Sequence, residues 1–104
     1  MRFSELLDRV ANPAGTLIKR SFKWAGLGDV DDIVERSPRE FLDKLAELFD
    51  RDYKQAKLFV YLLAEVLEVE HGVAINAEEW LEAFEADDAD YVRSWLEKMD
   101  SVLK

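Results

Sequence analysis

The sequence predicts an all-α fold, a compact single-domain bundle of about five to seven short helices with a central hydrophobic helix near residues 53–71. Apolar residues recur three and four positions apart along most of the chain, the spacing that gathers them on one helix face. Polar residues with N-capping chemistry precede several of these apolar runs. No stretch of five or more residues alternates apolar and polar in the way a half-buried strand requires.

Phe3, Leu6, Leu7 and Val10 share one face of a short first helix, with Glu5, Asp8 and Arg9 on the other. Asn12-Pro13 reads as a cap followed by proline at the first helical position, where its missing amide costs nothing. The second helix then runs from about Pro13 to Ala25. Its wide apolar arc holds Leu17, Ile18, Phe22, Trp24 and Ala25, and Lys19, Arg20 and Lys23 cluster opposite. Gly26 and Gly28 end it as C-cap punctuation.

Asp29 or Asp31 caps a short turn of helix carrying Val30, Ile33 and Val34. Ser37-Pro38-Arg39-Glu40 reads as a capping box in front of Phe41, Leu42, Leu45, Leu48 and Phe49. Asp52 and Gln55 form a second capping pair before the longest helix, Tyr53 to His71, closed by Gly72. Its apolar residues cover well over half the helical wheel, which places it centrally. Val73 to Asn76 is the only plausible extended piece. Asn76 and Glu79 open a helix with Trp80, Leu81 and Phe84 inward, and Asp87 or Asp88 opens a last one with Tyr91, Val92, Trp95, Leu96, Met99, Val102 and Leu103 inward. Leu63 and Trp95 are expected in the core.

The 104 residues suffice for one hydrophobic core, and residues 1–104 read as a single helical domain. With no cysteine, disulfides, thiolate catalysis and cysteine-based metal sites are excluded. The first ten residues carry Glu5, Asp8 and Arg9 where a secretion signal needs an unbroken apolar stretch. The longest apolar run, Leu58 to Ala64, falls far short of the roughly 20 residues that cross a bilayer. The expectation is a cytoplasmic protein without a membrane span.

Net charge is −9, unevenly distributed. Residues 1–28 hold five basic and two acidic side chains, whereas residues 29–104 hold nine basic and 21 acidic ones. A basic amphipathic segment is thus joined to an acidic body, an asymmetry that favours two differently charged surfaces or a head-to-tail self-contact.

Most chemistry can be set aside. One histidine and no GxSxG turn make a hydrolytic triad improbable, and Gly26-Leu27-Gly28 lacks the third glycine and the preceding strand of a dinucleotide site. Asp29, Asp31 and Glu40 match positions 1, 3 and 12 of a calcium loop. Val34, however, stands where the sharp turn needs glycine, and Pro38 starts a new helix inside the loop. Glu65, Glu68 and His71 contain the Glu-x-x-His element of carboxylate-bridged di-metal sites, but no second such element exists, so a metal would need ligands from other helices or another chain. The competing reading is a solvated helix face with His71 at the negative helix end. His71-Gly72-Val73 with Ile75 and Trp80 faintly resembles a helix-turn-helix turn. The recognition helix would then present Glu78, Glu79, Glu82 and Glu85, which phosphates repel.

A non-enzymatic helical interaction protein is the reading that remains, an adaptor or regulatory subunit that contacts another protein or itself, as in a homodimer. No cofactor and no direct nucleic-acid contact are expected. The candidate partner-binding residues are Lys19, Arg20, Phe22, Lys23 and Trp24, because aromatic and arginine side chains anchor protein contacts. Ordinary core packing of Trp24 competes with this assignment. The alternative is an acidic nucleic-acid mimic that occupies a basic groove through Glu78, Glu82, Glu85, Asp87 and Asp88; a further alternative is an oligomeric metalloprotein using Glu65, Glu68 and His71.

Overall fold

A computed structural model describes residues 1–103. Seven helices follow one another: α1 (Phe3–Val10), α2 (Ala14–Trp24), α3 (Val30–Arg36), α4 (Pro38–Leu48), α5 (Tyr53–His71), α6 (Ala77–Glu85) and α7 (Ala89–Val102). The described residues contain no strand; Val73 to Asn76 links α5 to α6 as irregular chain, with Val73 and Ile75 buried.

Helix starts follow the side-chain chemistry. Asp29 accepts from the amides of Asp31 and Asp32, Ser37 from Glu40, Asp52 from Gln55, Asn76 from Glu79 and Asp88 from Tyr91. Each bond satisfies an amide that the first helical turn otherwise leaves without a partner. The expected reciprocal half of the capping box is not made. Glu40 pairs instead with Arg36 at the end of α3, 2.5 Å away, and with Lys44 one turn further along α4, 3.3 Å away, while the Ser37 amide donates to the Ile33 carbonyl. The cap expected at Asn12 is likewise absent. Its side-chain oxygen faces the Thr16 hydroxyl at 3.4 Å, and α2 begins at Ala14.

Two helices borrow their capping groups from elsewhere in the fold. No side chain of its own caps α1, and Asp31 of α3 instead accepts from the Ser4 amide at 2.8 Å and the Ser4 hydroxyl at 2.7 Å. Asp87, in a left-handed conformation at φ 60°, accepts from the Ser37 hydroxyl at 2.7 Å and the Arg39 amide at 3.2 Å, reinforcing the start of α4.

The core gathers around Phe41 of α4. Phe3 meets it edge-on at 4.9 Å, Phe22 stacks on it at 5.4 Å, and Phe84 lies 6.1 Å away with Trp80 behind it at 5.2 Å from Phe84. Four helices therefore meet in one aromatic cluster, and the basic segment of residues 1–28 contributes two of its rings. Edge-on and offset contacts of this kind add stabilisation beyond area burial.

Gly15 sets the fit between the first two helices. A methyl group at this position would lie 2.3 Å from the Leu7 carbonyl oxygen, so only glycine lets α2 approach the α1 backbone this closely. The longest helix, α5, packs against α4, α6 and α1 through Ala56, Val60, Leu63, Ala64 and Leu67. Leu63 is buried as expected. Trp95 departs from expectation: it is half-buried at the edge of the core, with the Lys98 ammonium 4.5 Å from its ring centre. No helix is long and apolar enough to cross a membrane among the described residues.

Candidate functional site

The five residues expected to meet a partner divide sharply. With a helical rotation of about 100° per residue, Gly15, Ile18 and Phe22 fall on one side of α2 and Leu17, Arg20 and Trp24 on the other. The first set is buried. Phe22 is fully enclosed against Phe41, so it is a core residue and is withdrawn as a contact anchor. Once Phe22 and Ile18 turn inward, the 3.6-residue repeat forces Trp24 outward, and its side chain is 93% exposed. The competing expectation of core packing for Trp24 is thereby corrected.

Leu17, at 60% exposure, joins Trp24 on the same face. The sequence pattern places Leu17 in the apolar arc, but an arc that holds Phe22, Leu17 and Trp24 spans more of the helix than its neighbours cover, and Leu17 is left outside. Beside this face lies a polar cleft of about 430 Å³ whose wall includes Arg2, Lys19, Arg20 and Lys23, with Asp29 and Asp31 at its far side. Lys19 is committed to Asp8 at 2.6 Å, and that hydrogen bond, aided by the Thr16 hydroxyl and opposed by partial desolvation, holds the Asp8 carboxyl below its usual range. Arg2 lies 3.5 Å from Asp31. Arg20 and Lys23 form no ion pair within the described residues, so their charge faces solvent beside Trp24.

The acidic stretch of α6 is far less free than its composition suggests. Glu85 is half-buried and lies 3.6 Å from the Lys57 ammonium, while its backbone carbonyl accepts from Arg39 at 3.0 Å. Asp87 reinforces α4 and Asp88 caps α7. Of the five, only Glu85 is ion-paired among the described residues; Asp87 and Asp88 stay exposed but accept hydrogen bonds from the fold, and Glu78 and Glu82 are exposed with neither. Glu78 faces a narrow cleft of about 210 Å³ that it shares with Tyr61, Glu65, Glu68 and Asn76. There the neighbouring Glu65 carboxylate, first as hydrogen-bond acceptor and then as a charge, raises the Tyr61 hydroxyl above its ordinary value.

The Glu-x-x-His element meets no further ligands among the described residues. Glu65 and Glu68 line the cleft with Glu78, whereas His71, the last residue of α5, lines a different cleft with Arg9, Val102 and Leu103. Among the described residues no three side chains of metal-binding type converge. The calcium-loop pattern dissolves in the same way: Asp29 caps α3, Asp31 holds Ser4, and Glu40 pairs with Arg36 and Lys44.

Comparison of the chain with protein-family models, with curated proteins and with solved structures finds no match.

Proposed function

We propose that this protein is a non-enzymatic interaction module, an adaptor or regulatory subunit, that binds an acidic surface of another protein through the outward face of α2. One observation carries the reading: Trp24 stands 93% exposed on an ordered helix, one turn from Arg20 and two from Leu17. A tryptophan flanked by arginine and an aliphatic side chain at i, i+3 and i+7 is the residue set that anchors helix-mediated contacts. Arg20 and Lys23 add unpaired positive charge, which steers the encounter with an acidic surface and discriminates against basic ones.

The mimic reading is weaker, because Glu85 is paired with Lys57 and Asp87 and Asp88 are each held by a hydrogen bond at a helix start, which leaves Glu78 and Glu82 as the two of the five carboxylates not engaged in the fold. The metal reading is weaker too, because no three side chains of metal-binding type converge among the described residues.

Site-specific photo-crosslinking tests the proposal. A photoreactive residue placed at Leu17 in the protein expressed in its own cells is expected to give one dominant adduct, joined to an acidic segment. That adduct is expected to vanish in Arg20→Glu/Lys23→Glu, which alters only exposed side chains and leaves the circular-dichroism spectrum intact. An adduct that persists unchanged in this variant, or the absence of any adduct, would remove α2 as the contact surface.

A further inference from the structure

A second surface, independent of α2, lies on α5. Beyond its buried stripe this helix carries Leu58 and Leu62, half exposed at 50% and 46%, with Val66 part-exposed one turn further on and Val69 at 76%. Leu58, Leu62 and Val66 are spaced by four residues and form one continuous ridge on the side turned away from the core. A long helix needs one apolar stripe to join its own bundle, and this one has two.

The charges beside the ridge bear on which partner would fit it. Lys54 and Lys57 lie in the first turns of α5, and Glu65, Glu68 and Glu70 in the last. Lys54 and Glu68 are fourteen residues apart, which at 100° per residue returns them to within about 40° of each other, on the same edge of the ridge. If two copies of α5 cross antiparallel about a two-fold axis, residues on the same edge meet in pairs whose midpoint is the axis. The midpoint of Leu58 and Val66 is Leu62; that of Lys54 and Glu68 is Tyr61. The two midpoints lie one residue, about 1.5 Å, apart along the helix, an offset that the flexible lysine and glutamate side chains can span, so an axis at Leu62 serves the ridge and keeps the ion pair within reach. A parallel pairing would set the acidic ends of the two helices beside each other.

We infer that α5 is a self-complementary dimerisation face on which a second copy of this chain docks antiparallel, Leu62 against Leu62 and Leu58 against Val66. Lys54 and Glu68 close the two ends by symmetry. The lysine and glutamate fix the orientation and register, and the ridge supplies the apolar burial. The dimer leaves the outward face of α2 for a different partner.

Analytical ultracentrifugation of the full chain from about 1 to 500 µM, the range in which a one-helix contact is populated, tests this. The expected result is a reversible monomer–dimer equilibrium. Leu62→Glu, an exposed change that keeps the helical spectrum, is expected to raise the dissociation constant at least roughly tenfold, and Lys54→Glu by about 3- to 10-fold. Lys54→Glu/Glu68→Lys is expected to regain the original constant, because the pair is restored with its signs exchanged. Since the chain has no cysteine, single labels at Gln55→Cys and Val69→Cys report the orientation: in mixed samples 55 and 69 are close, while two labels at 55 are roughly 20 Å apart along the axis. A monomer at the highest concentration, a dimer indifferent to Leu62→Glu, or a double exchange without recovery overturns the inference. A dimer lost in Trp24→Ala but kept in Leu62→Glu also overturns it, and assigns self-association to α2.

Discussion

Helices α2 and α6 are built on the same plan and end up with different surfaces. Each is short and sends large aromatic side chains into the cluster around Phe41, Phe22 from α2 and Trp80 with Phe84 from α6. Each also carries charge of predominantly one sign on its outer face, basic on α2 and acidic on α6. At the carboxyl end of α6 that charge is consumed by Lys57 and by the start of α4, with Arg39 held on the adjoining backbone. At the carboxyl end of α2 no acidic side chain among the described residues pairs with Arg20 or Lys23, and Trp24 stays exposed. The difference teaches that charge along a sequence and charge offered to solvent are separate quantities, and that the neighbours at a helix end decide between them.

The inner faces are where the two helices are alike, and the largest effects are expected there. Phe22→Ala and Trp80→Ala should each destabilise the fold by about 3–5 kcal/mol in denaturant unfolding, since each empties a fully enclosed aromatic site. A Phe22→Ala cost much below that of Trp80→Ala would mean that residues 1–28 are only loosely joined to the body. Gly15→Ala comes next, at about 1–3 kcal/mol, despite alanine's better helix propensity, because the added methyl must displace the α1 backbone at Leu7.

The outer faces separate at smaller energies. Asp87→Ala is expected to cost about 1 kcal/mol through the lost acceptor for Ser37 and Arg39, whereas Glu82→Ala and Trp24→Ala should stay within about 0.5 kcal/mol. Equal costs for Asp87→Ala and Glu82→Ala would return Asp87 to the free acidic surface. Mild acid gives the smallest effect. Asp8 is held low by Lys19 in the folded chain, so its contribution to stability is full above its ordinary value of 3.8 and is lost as pH falls through the lowered one. Asp8→Asn should flatten that part of the stability profile, which unfolding at stepped pH would read.

Periodicity alone made the helices legible, down to the bounds of α5, and capping residues located five of the seven starts. Local signals failed wherever a partner comes from afar. Asp31 serves Ser4 across 27 residues and Asp87 serves Ser37 across 50, and neither pairing leaves a pattern in adjacent residues. The same limit explains Phe22 and Trp24. They lie at opposite ends of one wide apolar arc, so the helical repeat lets only one of them turn inward, and the position of α1 and α4 decides which. For α5 the excess of apolar residues matches its central packing against α4, α6 and α1, and it also leaves Leu58, Leu62 and Val69 exposed, which periodicity alone does not separate from the buried stripe. Gly15 could have been suspected, as a glycine inside a helical pattern marks close packing more often than a turn.

The chain has three tryptophans in three environments: Trp80 enclosed, Trp95 at the edge of the core and Trp24 in water. Its intrinsic fluorescence is therefore a sum of separable emitters, and the red-shifted component belongs to Trp24. Arg20 and Lys23 draw anions toward that indole, so iodide should quench it more strongly than caesium does, while Trp80 stays dark to both ions. Whatever docks on α2 must shift this component to the blue and shield it from iodide, which makes occupancy of the surface readable in the unlabelled protein.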